Sequence, residues 1–299
     1  MINKTTKNKI STLLELYRAI AEEKKEALYE ITLAEIPESV YNSNAIENSR
    51  LTLKDTEDIL IRDEIRKGHN VREIYEAKNL AEVMAALHED IQRGRDPISA
   101  KGILKQHKML LSGINDSIAG RFRSGKEWVR IGAHIGANPD FVNELVFELI
   151  EKYHADKDSY FLDKIAFFHA EFEAIHPFVD GNGRIGRIII NGQLMQLGCP
   201  PIIIPNKSKH KDYYPYFDEY INKGRADGFE RVFALLLMES LHKRLTLLQS
   251  KRIVPVSDWA KVKGLNVRSA LNMSAKQTIP AFRLRGKWMI NASFERETK

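Results

Sequence analysis

The chain holds a single cysteine, Cys199, so no internal disulfide can form and a reducing compartment is expected. Set between Gly198 and Pro200, that thiol reads as a packing residue at a helix exit, and no catalytic role is assigned to it. No long apolar run is present: the longest, Phe233 to Met238, is far too short to span a bilayer. The stretch Met1 to Lys9 is polar and lacks the apolar core of a signal peptide. Together these absences lead to the expectation of a cytoplasmic protein without a membrane partner. Charge of one sign is only mildly in excess, at a net +6, which suits nucleotide or nucleic-acid contact without demanding either. Scattered histidines at His69, His88 and His107 offer no metal-ligand spacing and read as surface or packing residues. A length of 299 residues suggests about two domains with ample material for a core.

What is present is one dense stretch, His176-Pro-Phe-Val-Asp-Gly-Asn-Gly-Arg-Ile-Gly-Arg187. Upstream, Phe161, Ile165, Phe168, Phe172 and Ile175 recur at helical spacing; downstream, Ile185, Ile188, Ile189 and Leu194 begin a second amphipathic pattern. The stretch should therefore join two helices, the first stopped by Pro177 because a residue preceding proline is pushed out of the α region. Gly181 and Gly183 let consecutive N–H groups converge at the start of the second helix, where unpaired amides and the helix dipole favour an anion. Arg184 and Arg187 share a face of that helix and can add bidentate donors for phosphate. Asp180, at the lip of an otherwise cationic cradle, suits the Mg²⁺ or Mn²⁺ that escorts a di- or triphosphate. His176 is the neighbouring group suited to taking a proton near neutral pH. His169, Glu173 and His176 also stand at spacings compatible with zinc. Because Pro177 turns the chain at once and His176 already has a use, that reading is set aside, and His169 is expected to orient the loop or pack beneath it.

The stretch resembles the signature of the Fic family, His-Pro-Phe-x-(Asp/Glu)-Gly-Asn-Gly-Arg-x-x-Arg, with every fixed position present. The resemblance implies transfer of a nucleotide monophosphate, usually AMP from ATP, to a Ser, Thr or Tyr hydroxyl of a protein. In that scheme His176 is the base for the hydroxyl and Asp180 holds the metal. Gly181, Asn182 and Gly183 cradle the α- and β-phosphates, Arg184 takes the β-phosphate and Arg187 the γ-phosphate, with Ile185 and Gly186 inside the same nucleotide-binding run. It also lends meaning to Ser39–Arg50, which alone reads as a short helix with Val40, Ala45 and Ile46 packed. There Ser43-x-x-x-Glu47-Asn48 resembles the family's inhibitory motif, with Ser43 and Glu47 on one helix face. Glu47 would pair with Arg187 in the place of the γ-phosphate and leave a triphosphate askew. A role for Glu47 in removing AMP stays open beside it.

Turn signals at Ser124-Gly125 before Trp128, Val129 and Ile131 predict a short β-hairpin in a mainly helical chain. By resemblance, Val129, Arg130, Ile131 and Gly132 form a flap that docks the target segment by strand addition. The resemblance also sets Tyr213 and Tyr214 against the nucleotide base, with Asn222 as a further contact; as plain residues the tyrosines equally suit a helix–helix seam. Apolar spacing predicts helices over 6–36 (broken by Pro37), 53–67, 71–91, 99–111, 140–153, 159–175 and 230–249. Residues 254–290 resemble the winged helix-turn-helix of excisionase-like DNA-binding modules, where Arg268, Lys276, Arg283, Arg285 and Lys287 could meet phosphates.

The expectation is thus a mainly α protein: a helical segment carrying the inhibitory motif over 1–112, a Fic-type helical bundle with a β-hairpin flap over 113–250, and a winged-helix module over 251–299. Its function is read as a self-inhibited protein adenylyltransferase using ATP and Mg²⁺ on a hydroxyl-bearing protein. Two alternatives remain: a DNA-binding regulator that takes nucleotide only as a ligand, and the same chemistry with a UMP, GMP or phosphocholine donor. Oligomeric state is left open, a homodimer included.

Overall fold

The computed structural model describes residues 2–296, so the last three positions of the expected C-terminal module lie outside it. Two compact units share the chain: one comprises Glu35–Leu197 and Ile203–Val232, the other Ile2–Ala34, Gly198–Ile202 and the chain from Phe233 onward. Among the described residues no helix is long and apolar enough to cross a membrane.

The chain opens in the second unit with α1 (Lys4–Glu23) and α2 (Lys25–Ala34), then enters the first with α3 (Ile36–Ile46). The single helix expected over 6–36 is therefore broken at Lys24, which leaves helical geometry and turns its ammonium onto the Leu248 carbonyl. Pro37 does not end a helix but begins one. It sits in the first turn of α3, where its missing N–H costs nothing.

Helix α4 (Leu53–Ile61) starts on a capping box: the Thr52 hydroxyl accepts from the Asp55 amide while Asp55 accepts from the Thr52 amide. It stops at Ile61, short of the expected 67. The buried carboxylate of Asp58 gathers Lys54, Arg62 and Arg66, and the Glu64 amide donates to the Asp58 carbonyl, folding the chain back on the helix. Helices α5 (Val71–Gln92), α6 (Ala100–Leu111), α7 (Val142–Ala155), α8 (Phe161–Ile175) and α9 (Asn182–Gln196) follow. Their apolar faces merge in one core containing Leu80, Val83, Ile103, Leu110, Val146, Phe168, Phe172, Phe178, Ile185 and Ile188. Burial of this kind contributes about 1.5–3 kcal/mol for each large side chain.

Between α6 and α7, β1 (Arg130–Ile131) pairs antiparallel with β2 (His134–Ile135), Arg130 opposite Ile135 and Ile131 opposite His134. The hairpin turns at Gly132-Ala133, not at Ser124-Gly125, which makes a separate tight turn closed by the Glu127 amide on the Ser124 carbonyl. Gly132, at φ 58°, supplies the left-handed backbone that a two-residue hairpin turn needs. The first unit ends with α10 (Lys209–Asp212), α11 (Tyr214–Lys223) and the start of α12 (Asp227–Gln249).

In the second unit β3 (Ile253–Pro255) leads to α13 (Val256–Val262), α14 (Val267–Ala275) and the hairpin β4 (Phe282–Leu284) and β5 (Lys287–Asn291). The strands form an antiparallel sheet in the order β3-β5-β4. Trp259, Ala270, Ile279 and Ile290 centre a small separate core. Arg285 and Gly286, both at positive φ, make the β4–β5 turn.

Candidate active site

The loop between α8 and α9 is a rigid object, and its shape follows from three residues. His176 ends α8 in the left-handed region (φ 52°, ψ 64°), unusual for a side chain with a Cβ and held by its neighbours. Its amide donates to the Phe172 carbonyl, and its own carbonyl accepts from Arg123 Nε at 2.7 Å. Gly181, at φ 86°, opens α9. Asn182 closes the loop upon itself, its Oδ1 accepting from the Phe178 amide and its Nδ2 donating to the Phe178 carbonyl, both at 2.8 Å. The Asn182 side chain is therefore spent on the loop, which leaves only its backbone to face an anion.

Two side chains to which the sequence reading gave no part in the loop, Arg123 of the Phe-Arg element that resembles the family's flap and His107, brace it. Arg123, buried to 1% exposure, donates to the carbonyls of Ile175, His176 and Ala137, tying the α8–α9 loop to the base of the hairpin. His107, fully buried, stacks on Phe178 at 3.7 Å, accepts from the Gly120 amide and donates through Nε2 to the Asp180 carbonyl at 3.0 Å. Of the surface or packing roles expected for His107, the structure shows the packing one, with a bond to the Asp180 carbonyl in addition. Only its position on an apolar face of α6 hinted at burial.

The imidazole, the acid and the first of the two α9 guanidinium groups expected there meet at a cavity of about 560 Å³, whose lining includes His176, Asp180, Arg184, Gly181 and Gly183 together with Glu47, Arg72 and Glu76. His176 Nδ1 lies 3.2 Å from the Glu173 carbonyl. With the proton on Nδ1 donated there, Nε2 keeps its lone pair. Burial lowers the His176 pKa to about 4, partly offset by the bond to the Glu173 carbonyl, so the ring is neutral at pH 7. Burial would raise the Asp180 pKa, but Arg184 and Arg72 outweigh it and hold the carboxyl below its ordinary range.

Arg187 and Glu47 explain why the second guanidinium does not reach the cavity. Arg187 is buried, its Nε bonded to Ser43 Oγ at 2.9 Å, and Nη2 to the Ser43 carbonyl at 2.9 Å and Glu47 Oε1 at 2.8 Å. Glu47 Oε1 lies so close to the start of α9 that a Cβ on Gly183 would stand 2.3 Å from it. A carboxylate thus occupies the anion position that the helix terminus favours. The end of α3 is held from the other side, where Lys209 Nζ reaches the carbonyls of Ala45 and Ile46 and the Tyr214 hydroxyl donates to the Ile46 carbonyl at 2.6 Å.

Other expected site residues sit elsewhere. Ile185 is in the core, and Gly186 is needed for packing, since a Cβ there would stand 2.4 Å from Glu173 Oε1 and 3.0 Å from His169 Cε1. Tyr213 is buried against Phe217 and Phe229, its hydroxyl 2.8 Å from His169 Nε2. Tyr214 is engaged with α3, and Asn222 is exposed on α11; none of these three lines the cavity. On the flap Val129 and Ile131 are half-buried and Arg130 and Gly132 exposed, and Gly136 beside them is so near the loop that a Cβ there would stand 3.2 Å from His176 Cβ. Glu173 is buried in the first unit with its pKa pushed up to about 8, by burial first, then against Arg187 and with Glu47.

Asp180 could hold a divalent cation. Among the described residues no three His, Cys, Asp or Glu side chains form a metal cluster, and His169 is bonded to Tyr213 rather than aimed at a metal. Asp180, one of the carboxylates on the cavity wall and the one next to the start of α9, is the donor expected where the remaining ligands are phosphate oxygens and water.

This helical framework and loop define a class. Residues 97–194 match the Fic/DOC family. It is 30% identical over 226 residues to a protein adenylyltransferase Fic of Nematostella vectensis, covering 71% of this chain and 52% of that one. A protein adenylyltransferase Fic of Drosophila melanogaster is 30% identical over 228 residues, 75% of this chain and 44% of its own length. The chain thus spans about half the length of the curated relatives it matches. A solved fragment of Fic-1 from C. elegans superposes with a TM-score of 0.70 at 24% identity, over 81% of this chain and 71% of that chain. A Fic family protein from Desulfovibrio desulfuricans has a TM-score of 0.65 at 21% identity, over 99% and 98%. At those identities the likeness is one of fold.

Proposed function

We propose that this protein is an adenylyltransferase that moves AMP from ATP to a Ser, Thr or Tyr hydroxyl of another protein. The observation that carries it is the neutral imidazole, the carboxylate and the helix terminus with Arg184 around one cavity, in a chain similar to proteins of that name. His176 Nε2 takes the hydroxyl proton as the oxygen bonds to the α-phosphorus. The bond from that phosphorus to the bridging oxygen breaks, and pyrophosphate leaves with the electron pair. Amides at the start of α9 and the Arg184 guanidinium carry the phosphate charge. Asp180 would hold Mg²⁺ or Mn²⁺, which when bound neutralises the departing pyrophosphate. The edge of the flap would align the target segment by backbone pairing.

In this reading the chain rests in a self-inhibited form. Arg187 is the γ-phosphate site, and Glu47 fills it, supported by the 2.8 Å ion pair and by Ser43. Incubation with labelled nucleoside triphosphates and lysate tests both parts. Glu47→Gly should label a protein band that wild type labels weakly, and adding His176→Ala should abolish it. No gain on Glu47→Gly sinks the inhibitory role, and labelling that survives His176→Ala sinks the chemistry. The same gel, run with ATP, UTP, GTP and a phosphocholine donor, reads the donor.

A second reading concerns residues 251–296, taken as a winged-helix module. Arg268, Lys276, Arg285 and Lys287 are exposed there, which favours contact with a nucleic-acid backbone. Arg283 is withdrawn from that set, because Glu239 chelates its guanidinium and Trp288 stacks on it at 5.0 Å. Duplex binding that weakens steeply with salt supports the reading; binding insensitive to salt removes it.

A further inference from the structure

Four charges close a ring at the mouth of the cavity. Arg184 Nη2 meets Asp180 Oδ1 at 3.1 Å and Arg184 Nη1 meets Glu76 Oε1 at 3.1 Å. Arg72, on the first turn of α5, meets that same Glu76 oxygen through Nε at 3.0 Å and Asp180 Oδ2 through Nη2 at 2.5 Å. The two oxygens of Asp180 are therefore each bonded to a guanidinium, and a cation arriving at this carboxylate competes with both for its charge. Arg184 cannot leave easily: its side chain is 4% exposed and its other nitrogen is held by Glu76. Arg72 can, being 53% exposed and standing on the cavity wall. Its Nε bond to Glu76 gives the departing guanidinium a pivot, so that it swings within the mouth and is not released into solvent.

We infer that Arg72 is a further phosphate-binding arginine, supplied from α5 and outside the loop motif, that exchanges Asp180 for a substrate phosphate when a divalent cation arrives. In the empty site Arg72 stands in for the cation and keeps Asp180 from facing the cradle uncompensated. When metal takes Asp180, Arg72 loses one partner just as an anion with several acceptor oxygens enters beside it, and a planar fork suits that geometry. The inference rests on the nucleotide reading above, and it makes the usefulness of Arg72 conditional on metal.

The test is ADP affinity, by calorimetry, of wild type, Arg72→Ala and Arg72→Lys, each with saturating Mg²⁺ and with EDTA. ADP serves because it lacks the γ-phosphate whose place Glu47 fills. Arg72→Ala should weaken ADP binding about tenfold with Mg²⁺, the scale of one charge-assisted hydrogen bond, and hardly at all with EDTA. Arg72→Lys, which keeps charge but loses the fork, should fall between. Equal losses in both conditions would make Arg72 a fixed positive charge and overturn the exchange, as would no loss in either. Wild type that binds no ADP with Mg²⁺ would instead bring down the nucleotide reading and this inference with it. Thermal unfolding of the variants, expected unchanged within a degree or two because Arg72 is exposed, separates a lost contact from a lost fold.

Discussion

The two arginines of α9 sit one turn apart and are closed by opposite means. Arg187 is buried against α3, and its carboxylate partner, Glu47, is 41% exposed. Arg184 shares Glu76 and Asp180 with Arg72, in a ring where each acid serves two guanidinium groups. A one-acid contact is undone by moving one helix end. A four-charge ring holds its members in place while one exposed member turns over. The difference separates a contact suited to blocking a site from one suited to shaping it.

The sharpest way to break that comparison is to remove each acid. Glu47→Gly should raise transfer on the order of a hundredfold, since it restores an aligned triphosphate, read by labelled-AMP incorporation with the target present. Glu76→Gln should do the reverse, weakening ADP binding with Mg²⁺ about tenfold as Arg184 loses a charged partner, read by calorimetry. Should both variants gain activity, the ring is a second lock and the contrast collapses.

Protonation probes the supports beneath the two ends. Under Asp180, burial lowers the His107 pKa to about 4 from the 6.5 of an unfolded chain. The folded state then refuses a proton that the unfolded state accepts, so stability is whole above pH 6.5 and falls as pH drops toward 4. The loss is up to about 1.4 kcal/mol per pH unit. His107→Gln should flatten that acid slope by about one proton in urea titrations; an unchanged slope means His107 does not carry it. Under Arg187, Glu173 behaves oppositely. Its pKa is raised to about 8, so its contribution is whole below the unfolded value of 4.5 and is lost as pH rises through 8. Glu173→Gln should raise the melting temperature by several degrees at pH 8 and converge on wild type near pH 4.5. A gap that does not depend on pH would mean lost packing under Gly186 and not a buried proton.

The loop was legible in the sequence because each of its parts answers to a local rule. Pro177, the glycines and the spacing of Arg184 and Arg187 act within one turn or loop, and the capping box at Thr52 is likewise local. Legibility failed where partners lie far apart in the chain. Arg72 is 108 positions from Asp180, and nothing beside it marks it; Arg123 is 53 from His176, and its Phe-Arg element pointed to the flap, not to the loop. The expected helix over 53–67 failed for a related reason: helical spacing continues past Ile61, but Asp58 draws three cations back onto the helix it ends. Tyr213 had the right type for a base contact, yet packing against Phe217 and Phe229 turned it inward.

From residues alone came a mainly helical chain, a glycine loop between two helices, and an imidazole, an acid and two guanidinium groups on it. Only the folded molecule decided which charges meet. It set Glu47 rather than solvent against Arg187, put Arg72 on Asp180, and made His107 and Arg123 the loop's supports. The physical reason is range: backbone geometry is chosen by neighbours a few positions away, whereas ion pairs and desolvation depend on where whole helices come to rest.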